Sequence, residues 1–406
     1  MSDPALQAAI YLHIPLCRAK CTYCDFFSVP AAPSWYAPYV DALSRHIAWA
    51  ASRLCIQART LYLGGGTPTV LPPALLVGLL ETCFRHFGEP STGEVTIEAN
   101  PGTLSRNSLE HLAQAGVTRL SLGVQSFDEE ELRLLGRIHT AQEAETALED
   151  ARAAGFREVN LDLIFGLPGQ SLRAWEHTME KALSLHPDHL SAYALTLEPG
   201  TPLARDVAEG RLAVPDDDLA AAMYQRLERR LADAGFRHYE ISNWARWDAF
   251  RDHRCQHNLI YWRNEPWLGF GAGAHSYAFG HRWHEVEDLA TYVKAWRPAN
   301  APPLRAPLYA SLSAREAEAI PREVEMAETA FLGLRLVEEG VPVERFRRRF
   351  GLSPQEAFPG AAEELKELGL LRADDERIAL TPRGRLLANQ VFLRFLPPPT
   401  AYPRSR

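Results

Sequence analysis

The chain has only six cysteines among 406 residues, and no apolar run approaches a membrane span, which takes about 18 consecutive apolar residues. Its start, "MSDPALQAAIYLHIP", has neither a basic segment nor an apolar one behind it. A secretory signal is therefore not expected, and the protein is placed in the cytoplasm. Thiols stay reduced there, so clustered cysteines point to metal binding or catalysis rather than to disulfides. Basic charge is also short: 43 Lys and Arg stand against 51 Asp and Glu, a net charge of −8. That argues against nucleic acid as a partner, and the short run "RFRRRF" reads as a solvated helix face. Internal repeats and low-complexity tracts are missing as well. A chain of this length fits roughly two or three domains and can bury a sizeable core without staples.

Against that scarcity, three of the six cysteines fall within eight positions. Cys17, Cys21 and Cys24 stand in "HIPLCRAKCTYCDFF". A tetrahedral zinc site takes four ligands, usually in two pairs, and no second pair exists here. A redox pair of Cys21 and Cys24 leaves Cys17 unexplained. Three thiolates can hold three irons of a [4Fe–4S] cube and leave the fourth iron open to an outside ligand. The missing fourth cysteine is then the functional feature. Cys55, Cys83 and Cys255 stand alone and behave as small hydrophobes.

Strands and helices alternate from residue 8 to 200. "AIYLHIP", "TLYLGGG", "EVTIEANPG", "RLSLGVQS", "EVNLDLIFGLPG" and "HLSAYALTLEPG" read as strands. Helices are expected over 35–53, 72–87, 105–115, 129–154 and 172–185. This alternation implies parallel βαβ units, in a partial barrel or a doubly wound open sheet. The strand runs are mostly apolar on both parities, as for a sheet covered on both faces. The cysteine loop, "GGGTP", "EANPG", "GVQS" and "NLD" all fall at or just past strand C-termini, the edge where such sheets bind ligands. Beyond residue 205 a helix over 217–234 leads to a strand "HYEISNWA". An aromatic segment follows, "HNLIYWRNEPWLGFGAGAHSYAFGHRWH". A Pro- and Ala-rich linker spans 297–314. A small unit of helices and the strand "RIALT" closes the chain.

Taken together, "YLHIPLCRAKCTYCDF", "LGGGTPT", "EANPGT", "GVQSFDEEELRLLGRIH" and "NLDLIFGLPGQ" resemble the radical S-adenosylmethionine (SAM) proteins. Within these they resemble the branch of anaerobic coproporphyrinogen oxidase and its relatives. The resemblance runs from about residue 10 to the C-terminus. It implies an α/β fold: a partial (βα)6 TIM-type radical SAM barrel over 1–205, a connecting region over 206–305, and a small, mostly helical, winged-helix-like domain over 306–406. It implies Cys17, Cys21 and Cys24 as ligands of a [4Fe–4S] cluster. It makes Tyr11, Tyr23, Gly65, Gly66, Thr67, Glu98, Gln125, Arg137 and Asp162 contacts of SAM. A guanidinium suits the SAM carboxylate, and an amide and a carboxylate suit ribose hydroxyls.

Two departures narrow the resemblance. The oxidase motif continues to a further cysteine, where this chain has Phe26, and the oxidase carries a long extension before its cluster, where only 16 residues precede Cys17. Both favour the HemW haem-chaperone family, as does "HNLIYW", which agrees with that family's HNxxYW motif. The implied function is binding haem and passing it to apo-haemoproteins, respiratory ones among them, with peripheral membrane contact and a homodimer as accompanying expectations. His257 is the candidate haem ligand, with Tyr261, Trp262, Trp267 and Phe270 as an apolar wall and "GFGAGA" allowing backbone approach. His275 and His139 are weaker candidates. The competing function is oxygen-independent coproporphyrinogen III oxidation. The remaining ones are radical SAM chemistry on another substrate and a structural zinc protein.

Overall fold

The computed structural model describes residues 5–298 and 307–397. Six parallel strands follow one another in space as in sequence: β1 (Leu6–Ile14), β2 (Ile56–Gly65), β3 (Val95–Ala99), β4 (Arg119–Gln125), β5 (Glu158–Phe165) and β6 (His189–Ala194). Helices cross between them, so the expected (βα)6 arrangement is present. Successive neighbours in a parallel sheet need such crossovers. The sheet continues past these six. A hairpin of β7 (Phe236–Glu240) and β8 (Asn243–Arg246) joins antiparallel beside β6. On the other side β9 (Trp267–Phe270) pairs parallel with β1. The strands β10 (His275–Ala278), β11 (His281–Glu285) and β12 (Ala314–Ala319) extend that edge antiparallel.

Strand parity carries the first correction. The strands are not apolar on both faces. Leu61, Leu63, Ile97, Leu120, Leu122, Leu161 and Leu163 face the helices and form the main core. The alternate residues, among them Tyr62, Glu98, Ser121, Asn160, Asp162 and Ser191, line an interior cavity of about 290 Å³. Side chains of a strand alternate between its faces, so this period of two divides an apolar shell from a polar lumen.

Two further readings change. The helix expected over 129–154 is two, Glu129–Leu134 and Ala141–Ala153. Gly136 has a positive φ, and Thr140 opens the second helix with a capping box to Glu143. The expected strand "HYEISNWA" is a hairpin, because the buried Glu240 carboxylate accepts from Ser242 N at 3.1 Å and from the Asn243 amide, closing a turn. Of the linker expected over 297–314, residues 299–306 lie outside the described residues, while Leu308–Ala310 form a 3-10 turn and Ala314 begins β12.

The C-terminal unit has its own core, with Phe346, Phe350, Leu365, Ile378 and Phe395 buried. Helices Arg322–Leu334, Val343–Phe350 and Ala361–Glu367 accompany a small three-stranded sheet, in spatial order Val341–Pro342, Arg377–Leu380 and Leu371–Ala373. This is the winged-helix-like arrangement expected. No helix among the described residues is long and apolar enough to cross a membrane.

Candidate functional site

The cysteine loop leaves β1 at the ligand edge and is pinned at both flanks. Leu16 and Cys17 pair with Val29 and Pro30. At the centre, Thr22 N donates to Leu135 O and its hydroxyl to Leu134 O, while Leu203 N donates to Thr22 O. Cys17, Cys21 and Cys24 are free, partly exposed thiols facing one cavity of about 470 Å³. Burial pushes the Cys17 and Cys24 thiols up, and repulsion from their neighbours adds to it. Thiolates so placed need a cation to hold them. Among the described residues, the cavity lining offers these three thiols and no fourth cysteine or histidine, a donor set that suits three irons of a [4Fe–4S] cube better than a four-ligand zinc ion.

The same cavity collects Tyr23, Gly65, Gly66, Thr67, Glu98, Gln125, Arg137 and Asp162. The turn after β2 lies against the cysteine loop: a Cβ on Gly66 would stand 2.9 Å from Cys17 Sγ and 2.8 Å from Leu16 O. Only glycine lets backbone approach that closely. Thr67 N donates to Leu16 O at 2.8 Å, fixing the same contact. Glu98 accepts from Tyr62 Oη at 2.8 Å and from Gly65 N at 3.1 Å. Though part of it opens to the cavity, burial raises its carboxyl to about 7, with Asp162 adding to the rise. Burial also raises Asp162, against hydrogen bonds from Ser121 at 3.0 Å and Asn160 at 2.8 Å.

A carboxyl that holds its proton more tightly when folded subtracts stability as pH rises from its ordinary value of 4.5 through about 7. Cluster-free protein should therefore lose more Tm between pH 5 and pH 8 than its Glu98→Leu variant. Equal slopes in the two would contradict the assignment.

Arg137 joins the two halves of the site. It sits in the break between the helices of 129–134 and 141–153, the feature unseen in the sequence. Its Nη1 donates to Cys21 Sγ at 3.3 Å, and its Nη2 to Asn100 Oδ1 and Gly123 O, each at 2.5 Å. Asn100 Nδ2 in turn donates to Thr67 Oγ1 at 2.8 Å. Gln125 holds φ at +70° where β4 meets the cavity, a strained setting for a residue with a Cβ. Tyr193, on β6, also lines this cavity. Asn100 belongs to "EANPG", whereas nothing in the sequence beyond strand parity points to Tyr193.

Tyr11 and His257 lie elsewhere, in the lumen below. His257, on the helix Gln256–Trp262, is buried, and burial lowers its imidazole to about 3. Both ring nitrogens are engaged, Nδ1 with Thr60 Oγ1 at 2.7 Å and Nε2 with Tyr261 Oη at 2.9 Å. In this arrangement His257 is a satisfied interior histidine. His139 is also buried, with Nε2 at 3.1 Å from Val124 O. The expected aromatic wall divides as well. Tyr261 faces the lumen, Trp262 lies under the Arg335 guanidinium at 4.3 Å, and Phe270 packs on Phe87 and His46 outside the sheet. The glycines of "GFGAGA" answer to the protein itself: a Cβ on Gly271 would stand 2.3 Å from His13 O, at φ +111°.

The model of the radical SAM superfamily matches residues 11–182, and that of the HemN C-terminal domain matches 320–387. "Heme chaperone HemW" of Bacillus subtilis is 37% identical over 389 residues, spanning 95% of this chain and 98% of that protein. Its counterpart in Mycobacterium tuberculosis (H37Rv) is 38% identical over 397 residues, 97% and 96% of the two chains. The chain belongs to the HemW family. Superfamily membership implies a [4Fe–4S] cluster and SAM, and the three thiols, guanidinium and carboxylates of the cavity described above fit both. A solved structure of coproporphyrinogen III oxidase (HemN) from Escherichia coli, described as a radical SAM enzyme, matches 97% of this HemW-family chain and 90% of its own with a TM-score of 0.79. At 24% identity that likeness shows the shared fold. Phe26, at the position where the resemblance expects the oxidase's further cysteine, is 67% exposed.

Proposed function

We propose that this protein is a haem chaperone, which binds a [4Fe–4S] cluster, SAM and haem and passes the haem to apo-haemoproteins. The full-length identity to curated HemW proteins carries this reading. On it, Cys17, Cys21 and Cys24 hold the cluster. The Gly65–Thr67 turn and Glu98 receive the SAM amino group, Arg137 its carboxylate, and Gln125 and Asp162 its ribose. A bound cluster would supply electrons for reductive chemistry on SAM, and the chain's part is to bind and orient. Tyr23 flanks the cavity, and the tethers on Thr22 hold the loop still. Glu98 and Asp162 remain close enough to repel one another as anions. A cationic ligand between them relieves that repulsion.

The test uses one anaerobically reconstituted sample. The expected result is a brown, SAM-binding protein that takes up haem stoichiometrically and forms no protoporphyrinogen from coproporphyrinogen. Turnover of coproporphyrinogen without stable haem binding would replace the chaperone with the oxidase.

A further inference from the structure

We infer that His275, His284 and Glu287 form a binding site for a divalent first-row metal ion, separate from the cysteine loop. His275 and His284 are direct cross-strand partners on β10 and β11. Their rings stack with centroids 5.1 Å apart and planes 17° apart. Glu287 follows just beyond β11. One ligand atom from each of the three lies within 4.8 Å of the other two. Bound imidazole and carboxylate atoms approach a zinc ion to about 2.0–2.2 Å, so the three need to close by an ångström or so. His275 and Glu287 are exposed.

Other groups at this edge agree with a cation. His284 Nδ1 is 3.2 Å from Glu285 O, which leaves Nε2, 3.5 Å from the exposed Glu316 Oε2, as the nitrogen that turns to the metal. A backbone carbonyl on the other ring nitrogen orients a metal-bound histidine. Two imidazoles and one carboxylate leave coordination positions open, the donor set of hydrolytic zinc and non-haem iron sites. Haem iron suits this trio less well, because its axial positions lie on opposite faces of the porphyrin, whereas all three donors stand on one side. The other cluster of this kind among the described residues, Glu158, Asp188 and His253, already carries cations: Arg119, Arg152 and Arg251 pair with its carboxylates. The trio sits at the sheet edge that holds the cysteine loop. Gly273, two residues before His275, has Phe27 of that loop against it.

Zinc titration of the cluster-reconstituted protein tests the site. One zinc per chain beyond the iron content is expected, weakened at least a hundredfold in His275→Ala and in His284→Ala and unchanged in His253→Ala. Cobalt should give the wild-type protein a visible spectrum that both variants lose. Equal zinc uptake in wild type and variants, or no cobalt spectrum in wild type, would overturn the site. So would unchanged zinc uptake with lost haem in His275→Ala, which would give that imidazole to haem iron instead.

Discussion

Replacing Cys24 by serine should strip the protein of its iron and its brown colour while the fold survives. Serine keeps the size of the side chain but not the soft thiolate that iron–sulfur clusters need. The loop is held by the Thr22 tethers and by the pairing of Leu16–Cys17 with Val29–Pro30, neither of which uses Cys24. Far-ultraviolet circular dichroism should therefore match wild type. Iron and sulfide per chain should fall to a small fraction of the wild-type content, because losing a direct ligand costs more than the roughly 10–100-fold in affinity that loss of an outer partner costs. Cys17→Ser and Cys21→Ser should do the same. Cys55→Ser should not, because Cys55 is exposed and lies outside the cavity. A Cys24→Ser protein with full iron would refute the ligand assignment.

Arg137→Lys should weaken SAM binding by about 10–100-fold while most of the cluster remains. The guanidinium makes three hydrogen bonds at once, to a thiol sulfur, a side-chain amide and a main-chain carbonyl. An ammonium is a point charge and cannot reproduce that fork. Hydrogen bonds involving a charged group contribute about 1.5–3 kcal/mol, which corresponds to that range of affinity. Asn100→Ala should share part of the loss, since Asn100 ties Arg137 to Thr67. Isothermal titration with SAM on reconstituted protein reads the effect. Unchanged affinity in Arg137→Lys would remove Arg137 from the SAM site.

The parts of the fold that could be read from sequence are those set by neighbouring residues. Three thiols within eight positions, a glycine turn after a strand, and alternating strands and helices all express themselves locally. What escaped depends on distant partners. The Thr60 hydroxyl that occupies His257 is 197 residues away in the chain. The break that frees Arg137 needs a helix terminus and a capping box together. The hairpin at Glu240 turns on one buried carboxylate meeting its own turn. The polar lumen was present as a period of two, yet Tyr62, Glu98, Ser121 and Asp162 register as a surface only once four strands stand side by side.

The most direct test of the central claim is haem transfer. The reconstituted protein is loaded with haem, freed of excess, and mixed with an apo-haemoprotein whose holo spectrum is distinct. A chaperone gives one-for-one appearance of the holo spectrum, faster than the same haem supplied free. No transfer, together with conversion of coproporphyrinogen by the same preparation, would contradict the account.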